Sequence, residues 1–234
     1  MLRLALALAL AAAPVLSRAQ APAPPPLEGK VQGKSYVSPT GVFKMSIPVL
    51  PELGGSITDT PNVVTFQDDF NVHISVAAFP QDATQRWELS TRGVKDYLTY
   101  FFANFVLSDF KQTFEGVQVE SAKFIPGQLE GSLITYILLP AGSMFMDKVP
   151  QLANDGRVPV AKRGNLLFVK NGHIFVLSVE LAERVIEGRS YKKTTAEEDD
   201  ILRQRLNDVV AKIEFAKPPA ATTAVKPPPP ALAK

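Results

Sequence analysis

Two histidines, the adjacent aspartates Asp68 and Asp69 and the absence of cysteine bound the proton and metal chemistry open to this 234-residue chain. Metal sites need His, Cys or carboxylates clustered at ligand spacing. His73 and His173 are 100 positions apart, and no H-E-x-x-H occurs. Each histidine follows a turn and opens an apolar run, so one arrangement brings both to a single sheet edge beside Asp68 and Asp69. The other reading is two independent strand-end histidines and a turn in which Asp bonds its own backbone. Without cysteine there is no thiol nucleophile and no disulfide. G-x-S-x-G, G-x-G-x-x-G and G-x-x-x-x-G-K-[ST] are all missing, so an activated serine elbow and the usual phosphate cradles are not signalled. No cofactor is expected. An unrecognised hydrolase using His73 or His173 with a carboxylate is the alternative function.

A second group suits binding better than catalysis. Ala141 to Gly164 reads as a 24-residue insertion between two strand signals, and connections that long in compact domains are usually functional or unstructured. Met144, Phe145 and Met146 put three large apolar side chains there, with Arg157, Lys162 and Arg163 adding cations. Methionine adapts to varied partners, and exposed apolar groups mark interaction surfaces. The competing reading folds Met144-Phe145-Met146 back onto the core.

The elements that position these residues follow from the hydrophobic pattern. Residues 1–19 read as a signal peptide: a basic start at Arg3, a Leu/Ala run too short for the roughly 20 residues of a bilayer span, then Ser17-Arg18-Ala19 as a cleavage signal. A periplasmic or secreted protein without a lipobox cysteine is the expectation. Residues 20–33 form a Pro-rich linker, 34–216 a single domain, and 217–234 a Pro/Ala-rich tail expected to be disordered. The domain holds 19 Lys/Arg against 22 Asp/Glu, about −3. The dense basic surface that nucleic-acid binding requires is not signalled.

Within the domain, Asn171-Gly172 between two apolar runs is a strong hairpin signal over Asn165–Leu181. It pairs Lys170 with His173 and Phe168 with Phe175. Further strands are expected at 42–47, 63–67, 72–79, 117–125 and 131–140. A helix is expected after Ser90-Thr91, with a stripe of Val94, Leu98, Phe101, Phe102 and Phe105, and Trp87 capping the core from just upstream. Thr194 or Thr195, each with Glu three residues on, caps a terminal helix whose stripe is Ile201, Leu202, Leu206, Val209, Val210 and Ile213. The sum is an α+β fold: a largely antiparallel sheet of about six or seven strands with two main amphipathic helices, an α/β/α sandwich.

The opening Tyr36-x-Ser38-Pro39-x-Gly41-x-Phe43-x-x-x-Ile47-Pro48 resembles the start of PsbP-like domains. Val63-x-x-Phe66 with its partner strand, the closing hairpin and the Thr/Glu-capped last helix are similar too. The resemblance spans roughly residues 35 to 215. The insertion and the missing cysteine depart from parts of that family. What the resemblance implies is an exported binding or assembly domain with no shared active site. The expected function is therefore recognition of a partner protein or envelope component, with a structural envelope protein as a third reading. Fold alone does not supply function.

Overall fold

The computed structural model describes residues 25–148 and 158–217. The signal-peptide, C-terminal tail and Arg157 expectations lie outside the described residues. Of the expected Pro-rich linker, residues 20–24 also lie outside, while its last part forms strand β1 (Lys30–Gln32) rather than a linker.

Asn171 and Gly172 both have positive φ, 50° and 73°, as a type I′ turn demands. Their flanking strands, β9 (Val160–Lys170) and β10 (His173–Glu180), pair in the expected register: Lys170 opposite His173, Val169 opposite Ile174, Phe168 opposite Phe175. Around this hairpin a seven-stranded sheet is laid down. Its other members are β4 (Ser56–Asp59), β5 (Val63–Gln67), β6 (His73–Pro80), β7 (Gln118–Ile125) and β8 (Ser132–Pro140). The order is β4-β5-β6-β10-β9-β8-β7, antiparallel throughout. The protein is α+β.

Strand alternation sends successive side chains to opposite faces, and both faces are covered. On one face Phe175, Leu177, Val179, Ile134, Leu166 and Phe168 pack against Leu202, Leu206 and Val209 of α4 (Thr195–Ala211). On the other, Ala77, Leu133, Ile137, Leu167, Ile174 and Val176 meet Tyr97, Leu98 and Phe101 of α1 (Ala83–Phe101), and Phe102 just beyond it. Each large apolar side chain buried this way contributes roughly 1.5–3 kcal/mol.

Several elements differ from the sequence expectation. A second, four-stranded sheet, β1 (Lys30–Gln32), β2 (Ser35–Val37), β3 (Phe43–Ser46) and β11 (Ile213–Phe215), joins the two ends of the domain. It packs on the α4 side through Tyr36, Phe43 and Met45. Helix α1 begins earlier than Ser90-Thr91, because Asp82 caps it in a reciprocal box with Gln85. Ser90 and Thr91 instead bond back to the Trp87 carbonyl. Trp87 is 64% exposed on the helix and caps nothing. Gly93, at φ 76° and ψ 163°, breaks the helical path within α1. A π-helical turn, Phe102–Val106, then links α1 to α2 (Leu107–Thr113). At the C-terminal end the cap is Thr194 rather than Thr195. Strand β9 reaches back to Val160, so Lys162 and Arg163 belong to the sheet and not to a loop.

Candidate ligand pocket on one face of the sheet

A row of polar side chains crosses five strands of the large sheet. Thr65 lies opposite Ser75, Ser75 opposite Ser178, Ser178 opposite Asn165, and Asn165 opposite Thr135. Directly paired residues share a face, so all five point to the α1 side. The next row on that face is apolar: Val63, Ala77, Val176, Leu167 and Leu133. The polar row is partly self-satisfied, by Thr65–Ser75 at 3.1 Å and Asn165 Nδ2 donating to Thr135 at 3.4 Å. Two atoms at its centre are not. Asn165 Oδ1 and Ser178 Oγ are buried without a hydrogen-bond partner. Asn165 is 0% and Ser178 8% exposed.

These two residues line a pocket of about 640 Å³ between the sheet and the α1–α2 arm. That lies within the roughly 300–1,000 Å³ of small-molecule sites. Its floor is Ser75, Ser178, Asn165 and Arg163; its walls are Ala77, Phe79, Val176, Phe101, Phe105 and Phe110; Asp82, Gln85 and Asp109 also line it. The π turn shapes the helical wall, and such turns are frequent at functional sites. Phe105 sits on this turn, 49% exposed, with its ring 4.9 Å from that of Phe101.

Arg163 closes one end. Its Nε and Nη2 donate to Glu180 at 3.2 and 3.0 Å, its Nη2 also to the Gly142 carbonyl, and its guanidinium lies near the Phe110 and Phe114 rings. Burial lowers the Arg163 pKa, and Glu180 opposes that shift. Ser143 and the Met144 amide donate to Glu180. The first limb of the expected insertion therefore clamps the ion pair at the pocket's edge. On the same face, His73 is buried with Nδ1 unpartnered. Burial, and after it the Arg163 charge, pushes His73 down to about 3.

Lys162, one residue away on β9, points to the opposite face. It is 0% exposed and ion-paired to Glu120, Glu198 and Asp199. Arg184 adds a second cation to Glu198. Burial acts against the Lys162 charge, but the bonds from Asp199, Glu120 and Glu198 leave its pKa raised. Lys162 and Arg163 thus do not share a site. Phe145 folds into the protein, while Met144 and Met146 stay exposed. The two histidines stand at opposite ends of the β6–β10 ladder, where His173 faces Pro80 and His73 begins β6. At about 3.3 Å per residue they are roughly 23 Å apart. Neither is bonded to a carboxylate among the described residues; His173 Nδ1 contacts the Asn171 carbonyl. Asp68 serves its turn, one oxygen accepting the Phe70, Asn71 and Val72 amides at 2.9 Å. Asp69 is exposed, 3.9 Å from Lys148.

Sequence reasoning passed over Asn165, Ser178 and Ser75. Their signal was visible in part: Ile174, Val176, Ser178, Glu180 and Phe79, Ala77, Ser75, His73 each turn polar along one face. Aligning them needs the β6–β10 register.

No family model and no curated protein matches the chain by sequence. Among solved structures, the chain is similar to cyanobacterial PsbP (CyanoP) from Synechocystis sp. PCC 6803, at 13% identity and a TM-score of 0.48, over 80% of this chain and 98% of that one. It is also similar to the Saccharomyces cerevisiae Ran-binding protein Mog1p, at 11% identity and a TM-score of 0.46, over 81% and 96%. A Bacteroides thetaiotaomicron protein follows at 16% identity and a TM-score of 0.38, over 80% and 50%. No helix among the described residues is long and apolar enough to cross a membrane.

Proposed function

We propose that this protein is an exported, non-enzymatic binding domain whose ligand site is the pocket between the large sheet and the α1–α2 arm. The observation that carries this is the pair of unpartnered buried polar atoms, Asn165 Oδ1 and Ser178 Oγ, in the floor of a cavity whose walls are mainly apolar. Leaving buried polar groups unpaired costs about 1–3 kcal/mol each, so their retention is intelligible if a ligand supplies the missing partner. The limb Gly142–Met144 of the 141–164 segment stands beside the site through Arg163 and Glu180. Export rests on the Met1–Ala19 pattern, and the Pro-rich flanks act as spacers. The test is titration of the full chain with the fluorescent amphiphile N-phenyl-1-naphthylamine, mapped by amide NMR shifts. Shifts should centre on Ser178, Asn165 and Phe105 and vanish in Val176→Phe, which fills the cavity. Shifts centred elsewhere, or unaffected by Val176→Phe, overturn the reading.

A second reading, capture of a partner protein, is supported by exposed Leu53, Phe70, Met144 and Met146. The Asp69 amide bonds the Leu53 carbonyl and Asp69 pairs with Lys148, which draws three of those segments to one end of the domain. Cross-linking in envelope extract with Phe70→Glu/Met146→Glu tests it: loss of one specific adduct supports it, and an unchanged adduct pattern removes it.

A further inference from the structure

We infer that the pocket takes a non-anionic amphiphile: an aromatic-sized apolar body with an N–H or O–H donor at its polar end. This rests on the binding reading above and adds the ligand's chemistry. The body follows from the walls, where Phe101, Phe105 and Phe110 face Ala77 and Val176 across the cavity. Aromatic walls favour flat or ring-bearing ligands. The donor follows from Asn165 Oδ1, a buried acceptor without a donor, next to the Ser178 hydroxyl, which can give or accept. Charge follows from what lines the site. The only cation among the lining residues is Arg163, and its charge is already matched by Glu180 at 3.0 Å with no exposure of the carboxylate. The remaining lining charges, Asp82 and Asp109, are both acidic. An anionic head therefore meets a neutralised arginine on the floor and two acidic residues elsewhere in the lining, while an uncharged donor meets an acceptor that has no partner in the protein.

A matched pair of probes decides this. N-phenyl-1-naphthylamine and 1-anilinonaphthalene-8-sulfonate share the same rings and the same anilino N–H, and differ by the sulfonate. At low salt the uncharged probe should bind the full chain at least about tenfold tighter, since like charges at short range oppose the sulfonate. Asn165→Leu and the milder Ser178→Ala should each weaken the uncharged probe about fivefold, the scale of one hydrogen bond. Asp82→Asn/Asp109→Asn should tighten the sulfonate about threefold and leave the uncharged probe unchanged; Asn replaces Asp at a helix cap with little loss. Equal or tighter sulfonate binding that is still blocked by Val176→Phe overturns the ligand class and leaves the pocket standing. Full affinity in both Asn165→Leu and Ser178→Ala overturns the donor assignment. Failure of both probes to bind, or binding that Val176→Phe does not block, overturns the pocket reading along with this one.

Discussion

Lys162 and Arg163 are chain neighbours on β9, yet the two faces they serve solve the same problem in opposite ways. Both faces bury charge and hydroxyl or amide groups beneath a helix. On the α4 face the Lys162 ammonium gathers Glu120, Glu198 and Asp199, Arg184 balances Glu198, and Tyr136 bonds the Asp199 carbonyl at 2.9 Å. On the α1 face Arg163 and Glu180 neutralise each other, but the adjacent row stops short: Asn165 Oδ1 and Ser178 Oγ are buried without a partner, in two residues that line the pocket. Among the described residues the two faces thus differ at their centres, an ion-paired cluster under α4, with only the Tyr191 hydroxyl at its margin unpartnered, against a polar row left partly unpaired under α1. Substitutions on the two faces should then differ in kind.

The largest effect belongs to the closed face. Lys162→Met takes the cation from Glu120 and Asp199 and leaves Glu198 with Arg184 alone; breaking a buried ion pair costs about 3–5 kcal/mol, and the partial exposure of Glu120 and Asp199 puts the loss toward the lower figure. Urea unfolding should show a loss of that size, while naphthylamine affinity at low temperature, where the variant stays folded, stays the same. A parallel loss of probe affinity would mean that the two faces are not separable.

Next comes pH, which probes the α1 face through His73. Its folded pKa is depressed to about 3, so below the ordinary value of 6.5 the unfolded chain takes up the proton first. The neutral ring's contribution is fully present above pH 6.5 and is lost as pH falls toward 3. Between pH 7 and pH 5 the loss attributable to this one group is about 2 kcal/mol, at about 1.4 kcal/mol per unit. Comparing His73→Phe with the parent at both pH values isolates it from the carboxylates. If the stability gap does not change with pH, His73 is not held neutral as described.

The hairpin turn serves both faces equally. Gly172→Val forces a β-branched residue to a φ of 73°, costing roughly 1–2 kcal/mol. The melting temperature should fall by about 2–8 °C for a domain of this size. Probe affinity measured well below that temperature should not move. An unchanged melting temperature would place the turn elsewhere.

The turn, the β9–β10 register and the α4 stripe as far as Val210 were readable in the chain, because they depend on neighbours in sequence; Ile213, expected in that stripe, instead pairs with Met45 in β11, a long-range contact. Asn-Gly fixes its own turn, and Thr194 with Glu197 closes its own capping box. The polar row was not readable. Ser75, Ser178 and Asn165 come from three strands, and only the long-range pairing of β6 with β10 aligns them. Lys162 and Arg163 misled for a related reason: two adjacent cations read as part of a binding loop, whereas Glu198, 36 positions on, is what makes Lys162 burial tolerable. Trp87 and Ser90 misled locally, since Asp82 with Gln85 is the stronger cap and extends α1 over both.

The smallest effect carries the opposite sign, and it separates the faces most directly. Ser178→Ala removes a hydroxyl that has no partner in the folded protein and adds no heavy atom in its place. Truncating a satisfied polar group destabilises, whereas removing an unsatisfied one is neutral or stabilising. The variant should therefore gain up to about 1 kcal/mol in urea unfolding, while losing naphthylamine affinity. Gaining stability and losing ligand together is what a binding residue shows when its polarity is retained for a partner outside the fold. A destabilisation of the same size would mean that the hydroxyl is bonded within the protein, and that the α1 face is as closed as the face beneath α4.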